Sequence, residues 1–310
     1  MNRVLVTGGT GFIGRWLIRE LLANQVQVTA ISRSKDRFSP ELLNQALFSC
    51  VEGDLNTLTA NDFPDRDYDC FYHLAWAGVA SQDKNNLEVQ LNNIEMSVRA
   101  MELCHRLHCD RYISAGTVAE YVFSKNVMDL EEKQTPNDMY GAAKTATHYF
   151  LQVRARQLDQ KFIWAVIPST YGEFRKDNNI ITYTIRTLLA AEKPSYGALT
   201  QMWDFLYVAD VARALRLIGE YGKADTTYGI GSGVYKPLKD YIVTIRDIID
   251  PSLPLGINER PSMTNQTLSS CVNILDLVRD TGFQPEVSFE DGIRRTVEYW
   301  RKRNEGSQAE

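Results

Sequence analysis

Two groups of residues in this 310-residue chain have types and spacings suited to chemistry. The first is Thr7-Gly8-Gly9-Thr10-Gly11-Phe12-Ile13-Gly14, set between a short β-branched run and an amphipathic pattern. The free N–H groups at a helix N-terminus satisfy a pyrophosphate, and residues without Cβ let the backbone come that close. On this reading Gly8 makes the turn, Gly11 allows the approach and Gly14 allows helix–sheet packing, with Thr10, Phe12 and Ile13 completing the wall. The plain alternative is a glycine-rich turn with no ligand; its place between first strand and first helix points to a dinucleotide. The second group is Tyr140 and Lys144, a phenol and an ammonium one helical turn apart. A nearby cation stabilises a phenolate, so the pair predicts a Tyr140 that exchanges a proton near neutral pH, with Lys144 also able to hold a nicotinamide ribose.

Spacing alone does not select this pair, because Tyr121/Lys125 and Tyr235/Lys239 share it. Pro237 interrupts one and the other falls in a loop, whereas Tyr140 opens a long helical pattern. Thr117, at the end of Ser114-Ala115-Gly116-Thr117, comes from a strand tip of the kind that faces a bound dinucleotide and can share the substrate oxygen with Tyr140.

The tip of the second strand separates NADP from NAD, since an acidic residue there holds ribose hydroxyls and repels a 2′-phosphate. Here the residues are Ser32 and Arg33, followed by Lys35 and Arg37. A hydroxyl and a guanidinium suit a phosphate, which favours NADP(H); Asp36 keeps NAD(H) as the alternative. Asp54, with Leu55 after it, either accepts from the adenine amino group or caps the next turn.

The elements that must position these groups alternate. Strands are predicted over 3–7, 27–31, 48–52, 70–74, 111–115 and 162–167, with helices over 13–23, 87–107 and 140–158. Such alternation specifies an α/β fold, a Rossmann-like doubly wound parallel sheet. After Pro168 the glycines and prolines multiply and helices shorten, so the expected division is a cofactor domain over 1–172 and a smaller α/β substrate domain over 173–310. A strand–helix–strand pattern within 204–233 is expected to return to the first sheet.

Composition narrows the classes. At 44% hydrophobic and 24% charged residues the chain is an ordinary globular one. Its net charge of −5 has the wrong sign for general attraction to a nucleic-acid backbone. The apolar run over 70–80 contains His73 and falls well short of the roughly 20 residues of a spanning helix. No separate apolar leader precedes the first strand, so the expected location is cytoplasmic. The five cysteines never form C-x-x-C, and His105 and His108, beside Cys104 and Cys109, fall at a helix end, so neither a disulfide frame nor a metal site is expected.

Taken together, the chain resembles the extended short-chain dehydrogenase/reductases, in their nucleotide-sugar epimerase, dehydratase and reductase branch. The resemblance rests on the 7–14 turn, Asp54-Leu55, His73-Leu74-Ala75, Asn93, Thr117 with Tyr121, Tyr140 to Lys144, Tyr171-Gly172 and the run from Trp203-Asp204-Phe205 to Ala212. It implies a catalytic triad of Thr117, Tyr140 and Lys144. It also implies a cofactor path along Leu74, Ala75 and Ala77 with Asn93 and Pro168, and a substrate side including Tyr121, Ser169 and Asn179. Dehydratases of the branch carry Asp and Glu directly after the triad threonine, where this chain has Val118 and Ala119; reductases that also epimerise carry Cys where Ala119 stands. What remains is hydride transfer at one carbon: NADPH-dependent reduction of the C4 keto group of a nucleoside-diphosphate 4-keto-6-deoxyhexose, or 4-epimerisation with retained NAD. A non-catalytic dinucleotide sensor is the third reading. The family's phosphate-contacting arginines are replaced by Trp203 and Val166, leaving Arg186, Arg260 and Arg175 as candidates; Trp203 itself reads as a core residue more readily than a base-stacking one. The family also implies a homodimer through the helices over 87–107 and 140–158.

Overall fold

Runs such as Val4-Leu5-Val6, buried to the last atom, mark strands covered on both faces, and in the computed structural model they form a parallel sheet. The structure describes residues 1–79, 83–121, 127, 130–131, 133–175, 177–261 and 269–307. In chain order the elements are β1 (Arg3–Thr7), α1 (Phe12–Ala23), β2 (Gln27–Ser32), α2 (Pro40–Leu43), β3 (Phe48–Glu52), β4 (Cys70–His73), α3 (Leu87–Arg106), β5 (Arg111–Thr117), α4 (Met139–Leu158), β6 (Lys161–Ile167), β7 (Ser169–Tyr171), α5 (Ile180–Leu189), β8 (Met202–Trp203), β9 (Phe205–Tyr207), α6 (Val208–Tyr221), β10 (Thr226–Gly229), β11 (Lys236–Pro237), α7 (Leu238–Ile249), β12 (Ser269–Ser270), α8 (Leu275–Thr281) and α9 (Phe289–Ser307). Short 3-10 turns cover Lys35–Arg37, Ala60–Asp62 and Val118–Tyr121.

The seven-stranded sheet runs β10-β6-β5-β4-β1-β2-β3, every pair parallel. The order reverses between β1 and β4, and the crevice beyond the strand ends there is where doubly wound sheets bind ligands. Leu17, Ile18 and Leu21 of α1 and Val211, Leu215 and Ile218 of α6 pack on one face. Ala100, Met101 and Leu103 of α3 with Leu151 and Ala155 of α4 cover the other. A third core joins α5, α7 and α9 through Ile185, Ile242, Ile245, Ile293 and Val297.

Two differences from the sequence reading affect the site. β5 runs two residues past the expected end, because Gly116 and Thr117 pair with Val166 and Ile167 and so place Thr117 on the last rung. Of the predicted return to the sheet, β10 does join its edge beside β6, but β9 pairs with β7 in a separate two-stranded sheet.

Candidate active site

The glycine turn is built as its spacing requires. Gly8 has φ +71°, and a Cβ on it would lie 2.6 Å from the Leu74 carbonyl carbon; a Cβ on Gly14 would lie 2.2 Å from the Gly8 oxygen. Gly11 is the N-cap of α1, and no side chain caps that end. Its first-turn N–H groups and the positive end of the helix dipole are therefore left for an anion. These residues fit a dinucleotide diphosphate, with Thr10, Phe12 and Ile13 partly exposed around it.

The loop after β4 forms the facing wall. His73 Nδ1 accepts from the Thr7 hydroxyl (2.9 Å) and Nε2 donates to Ser97 Oγ (3.1 Å), which donates in turn to the Asn93 carbonyl (2.7 Å). Burial pushes the His73 imidazole down to about 3, so it is neutral in this chain of bonds. Asn93 is wholly buried and exchanges two hydrogen bonds with the Ala77 backbone, each 2.9 Å. This corrects its assignment as a cofactor contact: it holds the Leu74 to Ala77 path from beneath.

Thr117, Tyr140 and Lys144 are brought together by a close approach. Asp138 caps α4 by accepting from the Gly141 N–H (2.7 Å), which sets Tyr140 in the first turn. Gly141 lets that turn sit against residues 118–121, since a Cβ on it would be 2.5 Å from the Ala119 oxygen. The Tyr140 phenol is pushed up to about 12, chiefly by burial, against a lowering hydrogen bond with Thr117. The nearby charge of Glu120 and that of Asp138 add to the rise, and Arg175 opposes it. The expected easing by Lys144 is not found. Lys144 Nζ donates to the Ala115 carbonyl (2.7 Å) and stands 3.6 Å from the centre of the Trp76 ring, with its ammonium disfavoured by burial. Tyr140 is thus a protonated phenol at neutral pH, in the state to give a proton.

The remaining candidates divide. At the β2 tip, Arg33 is exposed, while the Ser32 hydroxyl is spent within the loop, donating to the Ser34 carbonyl (2.9 Å). Asp36 is exposed within the 3-10 turn that Ser34 caps. Asp54 accepts from the Asn56 N–H (2.9 Å), the capping alternative, and Leu55 is buried. Pro168 is buried and Ser169 partly exposed on β7. Tyr121 is 2% exposed with its hydroxyl on the Leu130 carbonyl, which corrects its placement as a substrate contact; its spacing partner Lys125 lies outside the described residues.

Asn179 is spent as the N-cap of α5. Arg186 stacks on Trp300 and lines a surface hollow with Asn178, Tyr183 and Thr187, away from the triad's own elements. Arg260 donates to the Tyr183 hydroxyl (3.3 Å). Arg175 lies over Phe12 of the glycine turn and is paired with Asp177, which makes it the arginine candidate that borders both turn and phenol. Trp203 is half-buried and packs on Phe205 at the edge of the third core.

Three features escaped the sequence reading. Trp76 meets Tyr140 edge to face and donates to Gln90 (3.0 Å). Glu120 is fully buried beside Thr117; a lone carboxylate among Val118, Ala119, Tyr121 and Val122 was the signal for it. Arg15 and Arg19 of α1 join Arg37 along a groove of about 880 Å³. Among the described residues no cluster of three His, Cys, Asp or Glu is placed to hold a metal, and no helix is long and apolar enough to cross a membrane.

Residues 4–231 match the model of the NAD dependent epimerase/dehydratase family. A dTDP-4-dehydro-6-deoxyglucose reductase of Escherichia coli is 27% identical over 309 residues, covering 96% of each chain. A dTDP-glucose 4,6-dehydratase of the same species is 25% identical over 334 residues, covering 96% of this chain and 92% of that one. The fold is shared with a UDP-N-acetylglucosamine 4-epimerase from Methanobrevibacter ruminantium M1 (TM-score 0.85, 22% identity, 97% and 99% of the two chains). It is shared equally with a UDP-glucuronic acid 4-epimerase from Bacillus cereus in complex with NAD (0.83, 20%, 97% and 99%). The family match takes in the glycine turn, all seven strands of the main sheet and the Thr117, Tyr140 and Lys144 cluster, and the chain belongs to the NAD dependent epimerase/dehydratase family, among the extended short-chain dehydrogenase/reductases.

Proposed function

We propose that this protein is an NADPH-dependent reductase of the C4 keto group of a nucleoside-diphosphate 4-keto-6-deoxyhexose, producing a deoxysugar nucleotide. The observation that carries the reading is a site with one partly exposed proton donor, Tyr140, beside Thr117, while the next two positions are Val118 and Ala119. Glu120, the next residue along, is buried with its carboxylate on the Thr117 N–H, and Asp138 is spent capping α4. The reductase relative is in accord.

The bound dinucleotide supplies the hydride. Gly8, Gly11 and Gly14 cradle its diphosphate, Leu74, Ala75 and Ala77 wall its path, and Arg33, with Lys35 and Arg37, takes the 2′-phosphate that distinguishes NADP. Thr117 and Tyr140 orient the substrate carbonyl by hydrogen bonding to its oxygen, and Tyr140 protonates that oxygen as negative charge grows on it. Lys144 grips the nicotinamide ribose and keeps a positive charge near the phenol. Residues 1–172 with 204–233 serve the cofactor, and the rest of 173–310 serves the sugar nucleotide through Arg175 and Arg260, in the cytoplasm.

Incubation with NADPH and mixed 4-keto sugar nucleotides tests this directly, by absorbance of the reduced nicotinamide. Net oxidation is expected. Interconversion without oxidation, the behaviour that the epimerase neighbours' names describe, replaces the reading with a retained-NAD 4-epimerase, and silence with tight cofactor binding replaces it with a sensor. In the same assay Arg33→Ala is expected to weaken NADPH by about 1.5–3 kcal/mol, or roughly 10- to 150-fold, and leave NADH unchanged, as loss of a charge-assisted phosphate contact requires. Equal effects on both would show that Arg33 does not select the phosphate.

The reading includes a homodimer. Leu91 of α3 and Tyr149, Phe150 and Val153 of α4 are each more than half exposed, on two helices that already pack together. Large apolar side chains left open on two packed helices support an interface there. Light scattering on Phe150→Glu should report a monomer where the wild-type chain gives twice the mass; a wild-type monomer ends this part of the reading.

A further inference from the structure

Glu120 lies three residues beyond the strand-tip threonine and is 0% exposed; Lys144 is 4% exposed. Its Oε1 accepts from the Thr117 N–H (2.8 Å), its Oε2 from Gln134 Nε2 (3.2 Å), and its own carbonyl from the Thr135 N–H (2.8 Å). The Trp164 indole lies by the same carboxylate without closing a hydrogen bond. Two residues back along the same strand, Lys144 is held by the Ala115 carbonyl and the Trp76 face, both neutral. Two buried groups that would each shed their charge alone thus hold the same strand end, one at the Ala115 carbonyl and the other at the Thr117 N–H.

We propose that Glu120 is a positioning residue of this site: its carboxylate keeps the Lys144 ammonium charged and, through the Thr117 N–H, fixes the strand tip that carries the Thr117 hydroxyl. The inference deepens the reductase reading and rests on it for the roles of Thr117 and Lys144. Burial alone disfavours the ammonium of Lys144 and the carboxylate of Glu120, and each is drawn back by the other. Among the described residues, the other titratable groups facing the pair are neutral: His73 from β4, His148 from α4, Tyr121 from the same turn, and Tyr140, which itself feels Asp138 and Arg175. Among the described residues, Glu120 is therefore the carboxylate that answers the Lys144 charge. The sign follows: an amine whose cation loses its counter-charge releases its proton at lower pH, so removing the Glu120 charge lowers the Lys144 midpoint.

The experiment is NMR titration of the cofactor-free protein with ¹³Cε-labelled lysine, the Lys144 signal being identified by its absence in Lys144→Met. In Glu120→Gln, which retains a hydrogen-bond acceptor for the Thr117 N–H, the Lys144 midpoint should fall by at least one pH unit. Glu120→Asp, which retains the charge, should restore most of it. A folded Glu120→Gln protein with an unmoved midpoint overturns the proposal and leaves Glu120 a purely structural residue. Should Glu120→Gln fail to fold, Lys144→Met supplies the reciprocal measurement: the ¹³Cδ signal of Glu120 must titrate at least one unit higher than in wild type, and no change there overturns the proposal equally. Because no substrate enters these titrations, a protein inert towards every keto sugar would refute the reductase reading while the coupling result stood.

Discussion

Tyr140→Phe should lower turnover of a 4-keto sugar nucleotide by about 10²–10⁴-fold, the usual share of a general acid, and leave NADPH affinity within about twofold. The substitution deletes one hydroxyl and keeps the ring that Trp76 meets edge to face, so the wall of the site is conserved. Thr117 still reaches the substrate oxygen by hydrogen bonding, but the strand tip does not replace the phenol: Val118 and Ala119 carry no proton to give, Glu120 is buried, and the Lys144 ammonium is held on the Ala115 carbonyl. The phenol is raised to about 12 by burial, so it remains protonated until the pH approaches that value. Between about pH 6 and 9 the wild-type rate should therefore show no loss assignable to Tyr140 itself. Stopped-flow loss of nicotinamide fluorescence with a 4-keto substrate measures both quantities. A Tyr140→Phe enzyme that turned over at the wild-type rate would remove this residue from the reaction.

Gly14→Ala is the second large effect. The added Cβ would meet the Gly8 oxygen at 2.2 Å and the Gly8 carbonyl carbon and Gly9 Cα at 2.8 Å, all of them backbone that no rotamer change can clear. α1 must move off the turn, or the turn must open. Either way the first-turn N–H groups lose their common aim at a diphosphate, and the packing of Leu17 and Ile18 beneath them loosens. A loss of roughly 1–3 kcal/mol in folding stability is expected from such overpacking. A fall of about 100-fold in dinucleotide affinity should accompany it, since the binding donors are the displaced groups. Urea unfolding and a fluorescence titration with NADPH read the two separately. Affinity equal to wild type would place the dinucleotide elsewhere.

The strands of the main sheet were legible because a parallel sheet buries both faces of each strand, so β1, β4 and β6 read as continuous apolar runs. The glycine turn was legible for a similar reason, being one local segment whose chemistry depends on its neighbours in sequence. Where the reading fell short, the deciding partner was remote. Asn93 looked like a cofactor ligand until the Ala77 backbone, 16 residues away, took both ends of its amide. The proton affinity of Tyr140 was expected to fall beside Lys144 and instead rose, because burial is set by the whole assembly of α4, β5 and the 118–121 turn. Arg186 was a candidate anion ligand whose guanidinium stacks on Trp300 from the far end of the chain. β7 and β9 are three residues each, too short to show a period, and their mates are some 36 positions apart.

The place of β10 has a consequence for how the molecule is made. β6 is complete at Ile167, yet the strand that covers its outer edge begins at Thr226. At a synthesis rate of about 5–20 residues per second, several seconds separate emergence of the two from the ribosome. Through that interval the growing polypeptide presents an open row of amide and carbonyl groups to its surroundings, the kind of template on which neighbouring chains aggregate. A translation product that stops anywhere between the two strands keeps that edge uncovered for good.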